Sequence, residues 1–437
     1  MSDRAPAFAG RDGEMLPRSG LALGACIAAL LALALNAAPI RIRAPDAPPT
    51  LADLWHNRAE FIVERQDTGL PMGESDTVIA PNGEWWSYVH ASHRSAKVHD
   101  RCGAPVAFPG CVVIYKSRDE GQTFALDAPV CQIECGACPC DADRDHVQQQ
   151  QYPRVARTPR GWFMVYEFGG RVMLRRSTDG LIWGEARWVF NTGVWTRQIR
   201  PCRPWEEVRP HPFATADYEC LAGGPPGIYA DDDVLYVFMA MGQNPGAMGC
   251  MYLNLTPPAE DTLPWPRPGR ADRTTAPPPF EPSQHPTWIA LSPCDHNPLF
   301  VGHSRYGDVR DTGAMSNAHF DHRTISSAEV IKVGERYYML YEGIRGPGPG
   351  DVGDNQFGLG LARSTTARVD GPWEKLPQPL LVNLPGNIGL GHADVVITPR
   401  GETIVFTSLD GVTRSRLKLV WKRSATPTPA AAAYRIP

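Results

Sequence analysis

The sequence predicts an all-β protein, a single five-bladed β-propeller, and three observations lead to this prediction. A short unit recurs five times, in which a β-branched pair enters a strand, a Gly- or Asp-rich turn follows, and an aromatic-rich strand returns. The copies recur at roughly 60 to 90 residues, as expected of four-stranded blades repeated around an axis. The chain also has 43 Pro and 41 Gly, which fits many short strands joined by irregular loops.

Each copy pairs an entry segment with a returning aromatic-rich segment. The entry segments are 75–79, 152–155, 226–229, 328–331 and 393–396. The returning segments are 85–88, 162–166, 235–238, 337–341 and 403–406. Because the innermost strands of a propeller surround its central channel, we expect the functional residues where the entry segments start.

The propeller is predicted to span residues 61–423, with a first blade that starts near Phe61. A proline-dense stretch without periodicity, 257–286, is predicted to be an insertion between blades 3 and 4. The tail, 424–437, is expected to be flexible.

The N-terminal segment, 1–43, is predicted to be a signal peptide or a membrane anchor, followed by a Pro-rich spacer at 44–60. Residues 21–40 form an almost unbroken apolar run that is long enough for either role. Ala37-Ala38 offers a small-residue cleavage site, whereas an uncleaved run would anchor the chain in a membrane. Leu23 to Cys26 resembles a lipobox, although most of the apolar run follows the cysteine. We therefore expect a secreted, periplasmic or cell-surface protein.

The cysteine count agrees with export. The chain has 11 cysteines, and removal of Cys26 with the leader leaves ten. An even number in an exported chain predicts disulfide bonds, whose pairing stays open. Four of the ten lie within 131–140, where the spacings are too tight and irregular for paired zinc knuckles, so zinc is only the alternative.

The charge pattern argues against nucleic acid as a partner. The net charge is −4, and the few basic clusters are short and broken by Pro, Trp or aliphatic residues. We expect a monomer.

The octet from Ser117 to Phe124 matches the Asp-box pattern S-x-D-x-G-x-T-[WF] at every fixed position. In such a turn the aspartate caps backbone N–H groups, the glycine takes a positive φ, and the aromatic ring packs beneath. A looser copy follows at 177–183, and 362–373 ends blade 4 in a similar way. We assign these turns a structural role on the outer strands.

Three segments resemble the five-bladed propeller glycoside hydrolases, the superfamily of family 43 arabinanases and xylosidases, family 32 invertases and family 130 mannoside phosphorylases. They are 329–341, 362–374 and 391–401, and the resemblance covers roughly Phe61 to Arg423. It implies that Asp76 is the general base of blade 1. It also implies that His392, in a G-H-x-x-[VI]-V motif, lies in the central channel, where it would be the metal ligand of any bound calcium ion; no cofactor is required.

The resemblance is weaker at the remaining catalytic positions. Where acids of blades 2 and 3 are expected, the chain has Arg154 and the turn 225–227. The best substitute for the general acid is Glu329, displaced by about two residues toward the hairpin, a shift that keeps a strand side chain on the same face. Side chains along a strand alternate between its two faces, and in this register five residues point toward the channel. They are Asp76, Arg154, Glu329, His392 and Asp394.

Glycoside hydrolysis needs a protonated carboxyl group and an ionised one on either side of the bond. Asp76 and Glu329 are the predicted catalytic pair. Alternatively, Asp76 caps the backbone at the start of its strand or is solvated. The alternative for Glu329 is a salt bridge to Arg154 or Arg323. The predicted substrate-binding residues are Arg154, Asp394 and a polar segment before blade 4 that contains His319, Asp321, His322 and Arg323.

The predicted function is therefore an exported, exo-acting glycoside hydrolase with a carbohydrate or glycoconjugate substrate. A non-catalytic propeller that binds glycan or protein is the first alternative, since the acids of blades 2 and 3 are missing. A sialidase-like hydrolase is the second, prompted by the Asp-box match and several arginines. That alternative requires three converging arginines and a sixth blade.

Overall fold

A computed structural model describes the protein over most of the predicted propeller. The described residues are 50–71, 74–90, 98–99, 105–106, 112–127, 151–168, 171–184, 187–191, 200–201, 220–221, 225–241, 246–255, 288–302, 319–346, 356–382, 390–408, 413–423 and 434–435. The predicted leader, the insertion 257–286, the cysteine cluster 131–140 and most of the tail lie outside these residues.

Almost every described element is a strand. The exception is a one-turn helix, α1 (Leu51–Trp55), which follows Thr50. The Thr50 N–H group donates a hydrogen bond of 2.9 Å to the carboxylate of Asp53, which satisfies one donor at the helix start. Within the described ranges no helix has the length and hydropathy that a membrane crossing requires.

The strands form five blades of mainly antiparallel sheet, numbered here from the first complete one. Strand β1 (Ala59–Pro71) precedes them all. Blade 1 contains β2 (Ser75–Ile79), β3 (Trp85–His90), β6 (Val112–Ser117) and β7 (Ala125–Leu126), with the short pair β4 (Val98–His99) and β5 (Pro105–Val106) between β3 and β6. Blade 2 contains β8 (Gln151–Thr158), β9 (Gly161–Phe168), β10 (Arg171–Ser177) and β11 (Arg187–Asn191).

The remaining strands complete blades 3 to 5. Two short strands, β12 (Arg200–Pro201) and β13 (Cys220–Leu221), pair with each other. Blade 3 contains β14 (Gly227–Asp231), β15 (Val234–Met241), β16 (Ala247–Asn254) and β17 (Trp288–Pro293), with β18 (Phe300–Val301) also on β16. Strand β11 of blade 2 and β17 of blade 3 pair in parallel. Blade 4 contains β19 (Thr324–Val333), β20 (Arg336–Arg345), β21 (Gln356–Ser364), β22 (Trp373–Lys375), β23 (Leu381–Val382) and β27 (Tyr434–Arg435). Blade 5 contains β24 (Gly391–Ile397), β25 (Thr403–Ser408), β26 (Thr413–Arg423) and β1.

The first strands of the blades form a closed ring. Strand β2 contacts β8 and β24, β14 contacts β8 and β19, and β19 contacts β24. This arrangement confirms the predicted five-bladed propeller. It also brings residues that are far apart in sequence to one axis, because each blade contributes the beginning of its inner strand.

The ring is closed by the N-terminal strand rather than by a first blade that begins near Phe61. Strand β1 pairs antiparallel with β26, and Phe61 lies opposite Trp421. The sequence prediction of a blade starting at Phe61 is therefore wrong: this strand is the outermost strand of blade 5, and blade 1 begins at Ser75. Pairing the two ends of the propeller removes the free edges that an open ring would expose.

Aromatic residues from the second strands hold neighbouring blades together. Trp86 of blade 1 and Trp162 of blade 2 stack with ring centroids 5.7 Å apart, and both are buried. Trp85 and Phe406 make an edge-to-face contact between blades 1 and 5 at 6.2 Å. Each buried aromatic side chain contributes about 1.5–3 kcal/mol, so these contacts stabilise the ring strongly.

The turn that begins at Ser117 is held by hydrogen bonds to Asp119. Asp119 Oδ1 accepts from the N–H groups of Gln122, at 3.1 Å, and Thr123, at 2.9 Å. Gly121 has φ +75°, and a Cβ built there would lie 2.7 Å from Trp85. Only glycine fits this close approach, which locks the turn against the interface with blade 5.

One of the expected disulfides lies within the described residues. Cys250 of β16 and Cys294, just after β17, are bonded with their Cα atoms 5.5 Å apart. The bond links the outer strands of blade 3 and agrees with the disulfides predicted from the cysteine count.

Candidate functional site

Three of the five inner strands share a β-bulge near their starts. The bulged residues Tyr152, Ser327 and His392 all have φ between +52° and +55°. Each lies two residues before a polar residue that the sequence analysis assigned to the channel: Arg154, Glu329 and Asp394. A left-handed residue is strained unless the surroundings fix it, and bulges often redirect side chains at functional sites. The repeat therefore marks this end of the axis as the candidate site.

Asp76, the predicted general base, is buried at the axis with only 4% of its surface exposed. Its carboxylate accepts a hydrogen bond from the Val155 N–H group of blade 2 and lies 3.6 Å from Arg154 Nη1. Burial raises the pKa of Asp76 to about 7, and the negative charge of Asp394 adds to this rise, although Arg154 opposes it. A carboxyl group near this pKa can exchange protons at neutral pH.

Arg154 joins four blades rather than facing an open channel. Its Nη1 donates to the Ser75 carbonyl oxygen at 2.7 Å, and its Nη2 donates to Ser327 Oγ at 3.1 Å and to the Ala393 carbonyl oxygen at 2.9 Å. Only 2% of the residue is exposed. The sequence analysis assigned Arg154 to substrate binding, whereas these contacts make it a residue that positions the neighbouring blades and Asp76.

Glu329, the predicted general acid, is half-buried on β19 of blade 4. Burial raises its pKa well above the ordinary value, and the charges of Asp76 and Asp394 raise it further against the effect of Arg154. These effects favour the protonated form of Glu329. The salt bridge to Arg154 that the sequence left open as an alternative does not describe this arrangement, because the ion pair of Arg154 is with Asp76.

Asp394 is the third axial carboxylate and is fully buried. Arg414 Nη2 lies 3.1 Å from its Oδ1, and Ser75 Oγ lies 3.5 Å from its Oδ2. The same Arg414 nitrogen donates to the carbonyl oxygens of His392, at 2.9 Å, and Phe406, at 2.8 Å. Burial lowers the pKa of Arg414, which the charge of Asp394 opposes. The carboxylate that the sequence assigned to substrate binding is thus held by a second buried arginine.

A second layer of polar groups lies beside the axial carboxyls. Glu74 Oε2 is 2.8 Å from His90 Nδ1, and Glu74 Oε1 is 3.7 Å from His392 Nε2. The other ring nitrogen of His392 is 3.4 Å from Glu342, which also accepts a hydrogen bond of 2.9 Å from Ser326 Oγ. Burial opposes ionisation of Glu74, but the hydrogen bond from His90 and the charge of His392 lower its pKa to about 2.

Two residues of blade 2 complete this layer. The Tyr152 ring lies 4.3 Å from the His392 ring, and Tyr152 is half-buried. Burial raises the pKa of Glu167 to about 7, and the negative charge of Glu74 contributes to the rise. Carboxyl groups with pKa values driven apart in this way are typical of acid–base sites.

The sequence analysis missed four of these residues. Glu74 directly precedes an inner strand, while Glu167, Glu342 and Arg414 belong to second or third strands. None of the four belongs to an entry segment, where the repeat predicts the channel-facing residues. A usable signal was available for the two glutamates, since Glu167 and Glu342 each directly follow an aromatic residue in the same returning motif.

The residues around His392 do not fit a metal ion. Its two ring nitrogens face the carboxylates of Glu342 and Glu74. In the part of the chain that the structure describes, no group of three or more His, Cys, Asp or Glu side chains is placed to hold a metal. The calcium ion expected from the sequence resemblance is therefore given no role in the chemistry below.

Two residues of the polar segment before β19 are buried instead of opening to the channel mouth. Asp321 and His322 are both fully buried. The Asp321 carboxylate accepts a hydrogen bond from the Tyr341 hydroxyl at 3.0 Å and pairs with Lys375 Nζ at 2.6 Å. This burial corrects the position predicted for Asp321 and His322. His319 and Arg323 are half-buried, and their substrate-binding role stays a prediction.

The sialidase-like alternative does not agree with the fold. Arg175 Nε donates to the Tyr166 hydroxyl at 3.2 Å, and Arg176 Nη2 donates to the Arg160 carbonyl oxygen at 2.9 Å. Both arginines are thus used within blade 2. The ring has five blades rather than the six that this alternative requires.

Neither a protein-family model nor a curated protein matches the chain. A solved endo-1,4-β-xylanase from Bacteroides thetaiotaomicron is similar, with 14% identity and a TM-score of 0.43, over 84% of this chain and 97% of that chain. An endo-arabinase from the same organism has 12% identity and a TM-score of 0.41, over 84% and 99%. A thermostable family-43 glycoside hydrolase has 12% identity and a TM-score of 0.40, over 85% and 97%.

Proposed function

We propose that the protein is an exported, exo-acting glycoside hydrolase. The observation that carries the proposal is the pair of carboxyl groups contributed to the axis by blades 1 and 4, Asp76 and Glu329. The charge of Asp76 raises the pKa of Glu329, which burial already raises well above its ordinary value, while the pKa of Asp76 is about 7. Burial and the neighbouring charge thus favour the protonated form of Glu329, while Asp76 ionises near neutral pH.

This difference supports a division of labour in hydrolysis. Glu329 donates its proton to the glycosidic oxygen as the bond to the leaving group breaks. Asp76 acts as the base of the reaction. The N–H group of Val155 and the guanidinium of Arg154 favour its ionised form and hold its carboxylate in place.

The surroundings of the pair support binding of a chain end. Arg154 and Asp394 fill the axis between the blades and are almost completely buried, so a glycan cannot pass through at this level. Glu74 and His392, whose side chains are 18% and 19% exposed, are within reach of a sugar that enters from solvent. The carboxylate of Glu74 can accept hydrogen bonds from sugar hydroxyls.

Export is supported by the disulfide between Cys250 and Cys294 together with the apolar run at 21–40. Disulfides persist in oxidising compartments.

The test is turnover of aryl glycosides and oligosaccharides by the purified protein. Asp76→Asn and Glu329→Gln are each expected to lower kcat/KM by about 10²–10⁴. Because an activated leaving group needs no acid, Glu329→Gln should keep most activity on dinitrophenyl glycosides. The matched control is Asp232→Asn, which changes an exposed hairpin carboxylate. Wild-type rates in both site variants would refute the assigned roles.

A non-catalytic, glycan-binding propeller is the second candidate. It is favoured by the burial of the axial groups, since Asp76 is 4% and Asp394 0% exposed. Buried charges that are paired in this way can have a purely structural role, in which they hold the blades together. Oligosaccharide binding by calorimetry without turnover of any substrate in the panel would support this candidate.

A further inference from the structure

Blade 3 carries a row of three tyrosines near the hairpin ends of its strands, away from the axial carboxyls. Tyr229 of β14 lies opposite Tyr236 of β15, and Tyr236 lies opposite Tyr252 of β16. We call these three residues the tyrosine ladder. Neighbouring strands are about 4.8 Å apart, so the ladder spans about 10 Å on one face of the blade.

The ladder packs at the edge of the hydrophobic cluster shared by blades 3 and 4. All three tyrosines are half-buried. Tyr229 meets the buried Tyr337 edge-to-face at 5.9 Å, and the rings of Tyr236 and Tyr252 are tilted by 47° at 6.3 Å. None of these pairs is stacked, so the rings do not cover one another's faces.

The equivalent interface between blades 1 and 2 is closed. There, Trp86 occupies the position in its blade that Tyr236 occupies in blade 3, one residue after the start of the returning segment. Trp86 stacks on Trp162 at 5.7 Å with an interplanar angle of 20°, and both rings are buried. The half-exposed rings of the ladder are therefore a feature of blade 3 and not a general consequence of the fold.

The polar groups beside the ladder are charged but paired. Lys332 Nζ lies 3.4 Å from Asp231, which also accepts a hydrogen bond from the Tyr337 hydroxyl. Arg368 lies 2.6 Å from Asp295 and 2.7 Å from Asp370. Burial raises the pKa of Tyr236 to about 12, and the negative charges of Asp370 and Asp231 contribute to the rise.

We propose that the tyrosine ladder binds an uncharged glycan chain. Sugar rings present apolar C–H faces to aromatic rings and hydroxyl edges to donors and acceptors, and the ladder offers both kinds of contact. Its length suits two consecutive pyranose units. The paired charges beside the ladder sum to −1, because Lys332 and Arg368 face Asp231, Asp295 and Asp370, so the surface favours a neutral polymer over an acidic one.

Affinity electrophoresis of the full chain tests the proposal. The gels contain arabinoxylan or arabinan as neutral probes, or polygalacturonate as the acidic probe. At least one neutral polymer should retard the wild-type protein, and Tyr236→Ala should weaken the affinity about tenfold. Ile182→Ala removes a side chain of a residue that is 76% exposed on blade 2, and this control should bind like the wild type.

Asp76→Asn separates this site from the catalytic proposal, because it should abolish turnover and leave retardation unchanged. If a ladder variant fails to fold, the wild-type protein is used instead. Its tyrosines are acetylated with N-acetylimidazole, and mass spectrometry measures the acetylation of each tyrosine with and without polymer. The neutral polymer should protect Tyr229, Tyr236 and Tyr252. The proposal is overturned if no neutral polymer retards the protein, if polygalacturonate alone does so, or if bound polymer leaves the three tyrosines unprotected.

Discussion

Arg154 of blade 2 donates a hydrogen bond of 2.7 Å from Nη1 to the carbonyl oxygen of Ser75 in blade 1. The same guanidinium reaches Ser327 in blade 4 and Ala393 in blade 5. One side chain therefore connects four of the five blades at the axis. It also pairs with Asp76, so the stability of the ring and the state of the predicted base depend on the same residue.

Replacing Arg154 with alanine should destabilise the protein severely. The variant leaves Asp76 buried without its cationic partner and removes hydrogen bonds to three blades. Loss of one partner of a buried ion pair typically costs about 3–5 kcal/mol. The free energy of unfolding, measured by urea denaturation, should fall by this amount.

Arg157→Ala is the matched control for this variant. Arg157 is exposed, and its guanidinium lies over the Trp162 ring at 5.8 Å. An exposed cation–π contact contributes about 0.5–1 kcal/mol, so the control should be only slightly destabilised. Equal unfolding midpoints for the two variants would show that Arg154 does not hold the ring together.

The fold could be predicted from the sequence because the repeated entry and returning segments are local patterns. The closing strand could not, since Phe61 and Trp421 pair across almost the whole chain and neither segment resembles the repeat. When a strand pairs with another that is far away in the sequence, its own residues do not identify that partner. The first blade was therefore placed too early.

The candidate site was predicted only in part, for a related reason. Alternation along the entry strands identified Asp76, Glu329 and Asp394. Asp321 looked exposed because polar segments before a strand usually are, whereas its carboxylate is buried against Lys375 on a distant strand. Long-range pairing of charges cannot be inferred from local composition.

Activity should rise with pH through about 7. Asp76 must be ionised to act as the base, and its pKa is about 7, so kcat/KM should fall tenfold per pH unit well below that value. The negative charge of Asp394 contributes to this pKa. Asp394→Asn should therefore move the acidic limb of the pH profile of kcat/KM to lower pH. A limb that stays in place or moves upward would contradict the electrostatic coupling of the two residues.

Glu74 should make the protein acid-sensitive. Its pKa is about 2 in the folded protein against an ordinary value of 4.5, so it stabilises the fold above pH 4.5 and this stabilisation is lost as the pH falls toward 2. The difference corresponds to about 3 kcal/mol. Glu74→Gln should flatten the fall in unfolding free energy between these pH values. The exposed Glu60→Gln control should reproduce the wild-type curve, and a Glu74→Gln curve as steep as the wild type would exclude this contribution.

Asp321 should matter for stability and not for turnover. Asp321→Asn leaves Lys375, whose side chain is 11% exposed, without its carboxylate, and should cost about 3–5 kcal/mol. Lys375→Met in the same chain should recover part of this loss, because it removes the unpaired charge. A double-mutant cycle of urea unfolding measures the coupling. If Asp321→Asn instead lowered kcat/KM of the folded protein with little change in stability, the original assignment to substrate binding would stand.

Alanine substitutions at Gly121 and Gly83 test whether the turn that begins at Ser117 stabilises the interface between blades 1 and 5. Both have positive φ, +75° and +84°, but a Cβ at Gly121 would lie 2.7 Å from Trp85, whereas nothing lies within 4 Å of one at Gly83. Gly83→Ala should therefore cost only the backbone strain, about 1–2 kcal/mol. Gly121→Ala adds overpacking of about 1–3 kcal/mol, because Trp85 and Phe406 join blades 1 and 5 and cannot move independently. Urea unfolding of the two variants should show the larger loss for Gly121→Ala, and equal losses would mean that the interface relaxes around the turn.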